Sequence, residues 1–138
     1  MNEDDSLPKT EEEWKTKLDP NRYQVTRQKG TEAPFTNEYY KETAKGMYKC
    51  FNCGQALFSS DTKFETKLPG LMGWPSFEDA IPGSVKFQTD DSLGMHRTEV
   101  VCNRCGSHLG HVFDDETETK SGKHYCVNSC SLKLEKDE

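Results

Sequence analysis

Two short cysteine-containing turns, 48 residues apart, constrain the fold more than any other feature of the chain. They are Cys50-Phe51-Asn52-Cys53-Gly54 and Cys102-Asn103-Arg104-Cys105-Gly106. Each turn ends in a glycine, which allows the backbone to turn tightly so that both thiolates face one ion. Four thiolates at about 2.3 Å form the closed tetrahedral site of structural zinc. The alternatives are iron, which competes for such a site, and two reduced surface dithiols without metal.

We therefore expect one structural Zn²⁺, bound by Cys50, Cys53, Cys102 and Cys105. The separation between the two turns is long for a zinc ribbon, so the ion would join two distant hairpins of one sheet fold. A site with four protein ligands has no open coordination position, and this one is expected to stabilise the fold rather than to catalyse a reaction.

Composition limits the classes of protein to which the chain can belong. Its 138 residues fit one domain, but only 32% are hydrophobic and 30% are charged, which predicts a thin core assisted by the metal. The net charge of −6 argues against nucleic acid or an anionic membrane as the main partner. No apolar run approaches the roughly 20 residues of a membrane span, and the first thirty residues lack the pattern of a signal peptide. Together with the metal-type cysteines, these features predict a cytoplasmic monomer.

The order of short segments predicts a mainly β fold with two antiparallel sheets, arranged as a sandwich or small barrel, after short N-terminal helices. Thr10 to Glu13 matches a capping box, and the helix that it begins is expected to end at Asp19-Pro20. Tyr23 to Thr26 alternates like a short strand. Beyond Gly46, β-branched and aromatic segments alternate with Gly, Pro, Asp and Ser. We expect a disordered segment at 1–9, one domain at 10–134 and a charged tail at 135–138.

The stretch from Lys123 to Leu134 contains the two cysteines that the metal does not need. As one continuous strand it would place His124, Cys126, Asn128 and Cys130 on the same face. An imidazole and an amide are unusual on a core face and suit a polar pocket. A thiol without a metal there is a candidate nucleophile.

Two histidines and a tryptophan are the other candidates for the same site. His108 and His111 would point to opposite faces of an ideal strand, but a bulge at Gly110 would turn both toward one site. A histidine beside a thiol lowers the pKa of that thiol and can donate a proton to a departing oxygen. Either histidine alone is compatible with a structural role. Trp74, within Gly73-Trp74-Pro75, is either a core residue or a fixed aromatic wall facing a ligand.

The combined motifs resemble the B-type methionine sulfoxide reductases, the family that acts on the R epimer of the sulfoxide. The segments that carry the resemblance, in the family's order, are both cysteine turns, Gly73 to Phe77, Met95 to Val100, His108 to Phe113 and Tyr125 to Ser129. The resemblance covers roughly Tyr23 to Leu134. It implies two antiparallel sheets, with zinc held by the four paired cysteines.

The resemblance also implies a role for each site residue. Cys126 would be the nucleophile, becoming a sulfenic acid as methionine-R-sulfoxide is reduced. His108, His111 and Asn128 would surround the sulfoxide oxygen, with Trp74 against the substrate's methyl group. Phe113 and His124 would also contact the substrate. Thioredoxin or another thiol reductant would restore the enzyme.

The chain departs from the family pattern at three places. His124 stands where the family usually has arginine, which would make the activation of Cys126 more dependent on pH. Thr66 to Met72 lacks the resolving cysteine of many members, and Glu116-Thr117 replaces a Gly-Pro. Cys130 stands where the family usually has alanine and is a possible resolving thiol. On a strand, however, four residues span roughly 13 Å, whereas a disulfide needs Cα atoms within about 7 Å.

Two other functions compete with the reductase. One is a zinc-stabilised β-fold module that binds a ligand or peptide in the Trp74 pocket without catalysis. The other is a zinc-ribbon nucleic-acid binder, which the acidic charge balance opposes. A binding module would have no need of Cys126 together with His108 and His111.

Overall fold

The fold is described from a computed structural model covering residues 8, 10–35, 37–67, 71–91, 94, 97–114 and 119–137. Two helices come first, α1 (Glu11–Lys17) and α2 (Pro20–Arg27). The strands are β1 (Gly46–Cys50), β2 (Ala56–Ser59), β3 (Lys63–Phe64), β4 (Ser76–Phe77), β5 (Val85–Asp90), β6 (Arg97–Cys102), β7 (His108–Phe113), β8 (His124–Val127) and β9 (Leu132–Lys136). Short 3₁₀ turns occupy Ser60–Thr62 and Ser129–Ser131.

The strands form two antiparallel sheets, which confirms the predicted fold class. One sheet has three strands in the order β2-β1-β9, and the other has six in the order β3-β4-β8-β7-β6-β5. The hydrophobic core draws on both sheets, with Tyr48 and Phe58 from the smaller sheet and Phe77 and Tyr125 from the larger. Phe58 stacks on Phe77 with ring centroids 4.5 Å apart. Each large aromatic side chain buries much apolar surface, which offsets the low hydrophobic content of the chain.

The first N-terminal helix begins as predicted, but the second covers residues that were predicted as a strand. The Thr10 side chain accepts a hydrogen bond from the amide of Glu13, as a capping box requires. The predicted strand from Tyr23 to Thr26 is wrong, because these residues lie in α2. Asp19 caps this helix and Pro20 occupies its first turn, where a missing N–H costs nothing. The Asp-Pro pair therefore ends one helix and begins the next.

Helix α2 is hydrogen-bonded to two distant parts of the chain, the cysteine turns and the turn that follows β8. Nε of Arg22 donates to the carbonyl of Cys130 at 2.8 Å, and Nη1 of Arg27 donates to the carbonyl of Cys105 at 2.8 Å. Thr26 accepts a hydrogen bond from the side chain of Asn52, which lies within the first cysteine turn. The helix thus connects the cysteine turns to the turn that follows β8.

The C-terminal stretch is two strands rather than one. β8 ends at Val127, the chain makes a 3₁₀ turn at Ser129–Ser131, and β9 pairs with β1 in the other sheet. The predicted continuous strand from Lys123 to Leu134 is therefore wrong. Glu135 and Lys136, from the segment predicted as a charged tail, pair with Met47 and Gly46.

Some predictions fall on residues outside the described part of the chain. They are the disordered segment at 1–9 apart from Pro8, the motif residues Met95 and His96, and the loop residues Glu116 and Thr117. In the part that is described, neither helix has the length and apolar character needed to cross a membrane.

Candidate active site

Strand register places Cys126 in a row of side chains that crosses the six-stranded sheet. Cys126 pairs with Ser76 of β4 on one side and with His111 of β7 on the other, and His111 pairs with Glu99 of β6. Directly opposed residues of antiparallel strands project from the same face. Cys126, His111 and Glu99 therefore share one face, while their neighbours Tyr125 and Val112 enter the core on the other.

A β-bulge brings both predicted histidines to this face. Val100 pairs with Gly110 but Val101 pairs with His108, so Leu109 is the extra residue in β7. The predicted irregularity is confirmed, one residue earlier than Gly110. The ring centroids of His108 and His111 are 5.6 Å apart.

Gly110 serves a different purpose, which is to let β7 approach β8 closely. A Cβ atom at this position would overlap the backbone carbonyl of Cys126. Only glycine fits here, so Gly110 sets the distance between the strand of the histidines and the strand of the thiol.

His108 is held by a buried carboxylate. Its Nδ1 lies 2.7 Å from Oε2 of Glu99, and both side chains are buried. Nζ of Lys29 lies 3.3 Å from the other oxygen of Glu99. Burial lowers the pKa of His108, although its bond to Glu99 opposes that shift. The imidazole is therefore expected to be neutral near pH 7.

His111 is oriented by a second carboxylate at the end of β5. Its Nε2 lies 2.7 Å from Oδ2 of Asp90, and the same oxygen lies 3.3 Å from Nη2 of Arg97. The three side chains are partly exposed, unlike the pair of His108 and Glu99. His111 is thus the better placed of the two histidines to exchange a proton with a bound molecule.

A cavity of about 100 Å³ opens over this row of side chains. Five predicted site residues line it, namely Trp74, His111, Phe113, Cys126 and Asn128. Among the residues that the structure describes, five that were not predicted also line it, namely Thr31, Leu71, Arg97, Gly110 and Val127. A thiol, an imidazole, an amide and two aromatic rings therefore meet in one small space.

The thiol of Cys126 is less acidic than the sequence predicted. Burial raises the pKa of Cys126 to about 12. A nearby imidazole was expected to lower this pKa, but desolvation dominates. The resting group is consequently a thiol rather than a thiolate.

Trp74 and Asn128, which both line the cavity, are hydrogen-bonded to the main chain of Glu32. The indole Nε1 of Trp74 donates to the carbonyl of Glu32 at 2.9 Å, and the amide of Glu32 donates to Oδ1 of Asn128 at 3.0 Å. Nδ2 of Asn128 donates to the carbonyl of Leu109 at 3.2 Å. Both side chains are therefore held by main-chain groups before any ligand binds.

His124, which was predicted to contact the substrate, lies beside the cavity rather than in its described wall. It shares a face with Cys126 but is fully buried, with Nε2 2.8 Å from Oγ of Ser76. Its ring contacts Phe64 and Phe113 edge-on, with centroids 4.9 and 6.3 Å away. Of the residues described, those that line the cavity do not include His124.

Cys130 lies in a separate environment from Cys126. It belongs to the 3₁₀ turn after β8, so the prediction that both thiols share a strand face is wrong. Burial, and secondarily the charge of Glu32, raises the pKa of Cys130 to about 12. The described wall of the cavity contains Cys126 but not Cys130.

The four paired cysteines come together as predicted. Their sulfur atoms all lie within 4.8 Å of one another, with 3.6 Å between Sγ of Cys50 and Sγ of Cys105 and 3.5 Å between those of Cys53 and Cys102. Tetrahedral coordination at about 2.3 Å places sulfurs roughly 3.8 Å apart. The geometry of this cluster therefore fits a metal ion.

Comparison with known proteins agrees with this arrangement. The SelR domain model matches residues 18–136. The chain belongs to the SelR domain family. It is 53% identical over 133 residues to a protein of Methanosarcina mazei, which covers 96% of this chain and 91% of the relative. It is 50% identical over 130 residues to a protein of Leptospira interrogans, which covers 94% and 95% respectively. Both relatives are named peptide methionine sulfoxide reductase MsrB.

The site includes polar residues that were not predicted from the sequence. Glu99 and Asp90 hold the two histidines, Arg97 binds Asp90, and Glu32 holds Trp74 and Asn128. Glu99 had a detectable signal, because it directly precedes the apolar pair Val100-Val101, and a charge that is buried beside such residues needs a partner. Glu32 had none, since its two backbone bonds are independent of its side chain.

Proposed function

We propose that the protein is a peptide-methionine (R)-S-oxide reductase, which reduces methionine-R-sulfoxide, free or within proteins, to methionine. The observation that carries this proposal is the thiol of Cys126 paired across the sheet with His111 in a cavity walled by Trp74 and Phe113. Membership of the SelR family and the names of its relatives support the same activity.

The cavity suits both ends of a methyl sulfoxide group. Trp74 and Phe113 offer apolar surface to the methyl group, while His111 and Asn128 offer polar hydrogens to the oxygen. In this pose the substrate sulfur lies over Cys126. The prior hydrogen bonds of Trp74 and Asn128 reduce the entropy that would be lost in arranging them.

The chemistry balances without any other reactant. The sulfur of Cys126 forms a bond to the sulfoxide sulfur, and the sulfoxide oxygen is protonated. The oxygen then passes from the substrate sulfur to the cysteine sulfur as the S–S bond breaks, which gives methionine and the sulfenic acid of Cys126. The substrate sulfur gains two electrons, which the cysteine sulfur loses. His111, oriented by Asp90, carries a proton to the oxygen.

The buried thiol ionises only as the reaction proceeds. A pKa of about 12 leaves little thiolate at neutral pH in the free protein. Its proton is therefore transferred to the substrate oxygen or to His111 within the reacting complex. His108, neutral and bonded to Glu99, supports His111 from the adjacent position.

The metal that we propose for the cysteine cluster is a single structural Zn²⁺. Cys50, Cys53, Cys102 and Cys105 would hold it and would leave no open position for a substrate. The ion would supply folding free energy, since it would join β1 to β6 near the ends of their strands.

A thiol reductant must return Cys126 from sulfenic acid to thiol. We propose thioredoxin or another dithiol, which would attack the sulfenic acid directly. We also propose a reducing, cytoplasmic location, because four of the cysteines are arranged as metal ligands rather than as disulfide partners. The net charge of −6 supports a protein that binds neither nucleic acid nor anionic membranes, and a monomer is the simplest form of this fold.

The decisive experiment supplies R and S sulfoxides of methionine separately, with dithiothreitol as the reductant. The wild-type protein should consume the R epimer only, and Cys126→Ser should be inactive while keeping its native melting temperature. Cys130→Ser serves as the matched thiol control and should remain active. If the R epimer is not consumed, the binding module without catalysis becomes the better assignment. A Cys126→Ser variant as active as wild type would instead refute Cys126 as the nucleophile.

A further inference from the structure

A second cavity adjoins the first and shares Trp74 with it. Its volume is about 240 Å³, against about 100 Å³ for the cavity over Cys126. The residues that line it are Phe35, Tyr40, Lys41, Phe64, Glu65, Thr66, Met72 and Trp74. We call it the aromatic groove. One tryptophan thus forms a wall of both spaces, which places the groove next to the cavity over Cys126.

Phe35, which lines this groove, has an unfavourable exposure and an unfavourable backbone conformation. It is 52% exposed, and its φ of 67° lies in the left-handed region that bulky residues rarely adopt. Its ring packs edge-on to Tyr40, with centroids 5.8 Å apart, and Met72 nearby is 40% exposed. Backbone strain that presents an exposed aromatic ring is typical of a binding site.

The strained conformation is held by the loop that carries Trp74. The amide of Phe35 donates to the carbonyl of Gly73 at 2.9 Å, and Nδ2 of Asn37 donates to the same carbonyl at 2.6 Å. Gly73 has a φ of 100°, and a Cβ atom there would press against Pro34. Phe35 and Trp74 are therefore fixed relative to each other.

We propose that the aromatic groove binds a residue adjacent to the oxidised methionine in a polypeptide substrate, with a preference for apolar or aromatic neighbours. This inference rests on the proposed reductase function. The small cavity has room for a single side chain, and Trp74 borders both this cavity and the groove, so a residue that flanks the sulfoxide can reach the groove. Free methionine sulfoxide would leave the groove unused. Lys41 and Glu65 carry opposite charges at the groove, which gives no reason for a strongly charged neighbour.

The test measures kcat/KM for three substrates that differ only in what flanks the R sulfoxide. They are free methionine-R-sulfoxide and two blocked tripeptides, in which the sulfoxide residue lies between two glycines or between two phenylalanines. The variants are Phe35→Ala and Met72→Ala. Phe87→Ala is the matched control, because Phe87 is also 52% exposed but lies on β5 outside the groove.

For the wild type we expect kcat/KM to be roughly tenfold higher with the phenylalanine peptide than with the glycine peptide, which corresponds to about 1.4 kcal/mol. Phe35→Ala should remove most of that preference by raising KM, with free sulfoxide turnover within about twofold of wild type. Met72→Ala should act in the same direction, and Phe87→Ala should change nothing. A melting temperature for each variant shows that the fold is kept.

The possible failures are distinguishable. Equal wild-type rates with the two peptides would overturn the groove proposal, as would a Phe35→Ala variant that loses activity equally on all three substrates. Either result leaves the reductase function intact, because free sulfoxide is still consumed. A wild-type protein that consumes none of the three substrates refutes the reductase function and the groove proposal with it.

Discussion

The main-chain amide of Glu32 donates a hydrogen bond to the side-chain oxygen of Asn128, 3.0 Å away and 96 positions later in the chain. The carbonyl of the same residue accepts from the indole of Trp74. A segment just after α2 thereby joins two walls of the active-site cavity. The side chain of Glu32 faces the turn after β8. Burial raises the pKa of Glu32 above 4.5, although amide groups of Cys130 and Ser129 oppose the shift.

The raised pKa of Glu32 predicts a pH-dependent stability. A carboxyl group whose pKa is higher in the folded state favours folding while it is protonated, and this contribution is lost as pH rises from 4.5 through the folded-state pKa. Glu32→Gln cannot ionise and should gain melting temperature relative to wild type as pH rises from 4 to 8. Thermal melts of both proteins across that range measure the difference.

Glu38→Gln is the control for this experiment, because Glu38 is an exposed carboxylate a few residues away. The gain in melting temperature with pH should be larger for Glu32→Gln, because the Glu32 side chain is half-buried. A difference between Glu32→Gln and wild type that does not change with pH would contradict the burial argument.

Substituting Gly110 should damage both stability and activity. In Gly110→Ala the new methyl group meets the carbonyl of Cys126, so β7 and β8 must separate. We expect a loss of at least about 2 kcal/mol in the free energy of unfolding, typical of overpacking, and little remaining turnover. Urea denaturation and the dithiothreitol-coupled assay measure the two effects.

Gly83→Ala separates steric overlap from backbone strain. Gly83 has a φ of 77° but open space where a Cβ atom would lie, so this variant should lose about 1 to 2 kcal/mol and keep its activity. Gly110→Ala with wild-type stability and turnover would show that the two strands do not require the close approach.

Removing the metal should lower the melting temperature by at least about 10 °C. The cysteine turns are hydrogen-bonded to α2 through Arg27 and Asn52. Loss of the metal should therefore also loosen α2 and the segment after it, which contains Glu32. Differential scanning calorimetry after chelation tests this effect, with metal content measured on the same sample. Cys130→Ser should retain one zinc per chain. An unchanged melt after verified metal loss would show that the cluster does not stabilise the fold.

Cys130 should not resolve the sulfenic acid. Its thiol lies against Glu32 outside the described cavity wall, and with a pKa of about 12 it supplies almost no thiolate at neutral pH. After one turnover without reductant, a sulfenic-acid reagent should label Cys126, and a peptide map should contain no bond to Cys130. Cys130→Ser should turn over at the wild-type rate with dithiothreitol. Finding a disulfide between Cys126 and Cys130 would reverse this assignment.

Several features of the fold and site were predictable because their causes are local. The glycine-terminated cysteine turns fix their own geometry, which is why the four sulfurs were recognised without a structure. The three-residue spacing of His108 and His111 required an irregular strand, and the bulge at Leu109 supplies it. Tyr23 to Thr26 was misassigned because an alternating pattern of four residues is weaker than the helix-starting Asp19-Pro20 before it.

The sequence alone therefore determined the chemical inventory of this protein: four thiols in metal-binding turns, two spare thiols, two histidines three residues apart and a tryptophan in a Gly-Trp-Pro turn. Tertiary structure decided which of these groups meet. It buried His124 against Ser76, turned Cys130 away into a 3₁₀ turn, and brought Glu32, Asp90 and Glu99 to the site. These outcomes depend on pairing between strands and loops far apart in the chain. Side-chain burial, which set the pKa of Cys126, exists only after that pairing has formed.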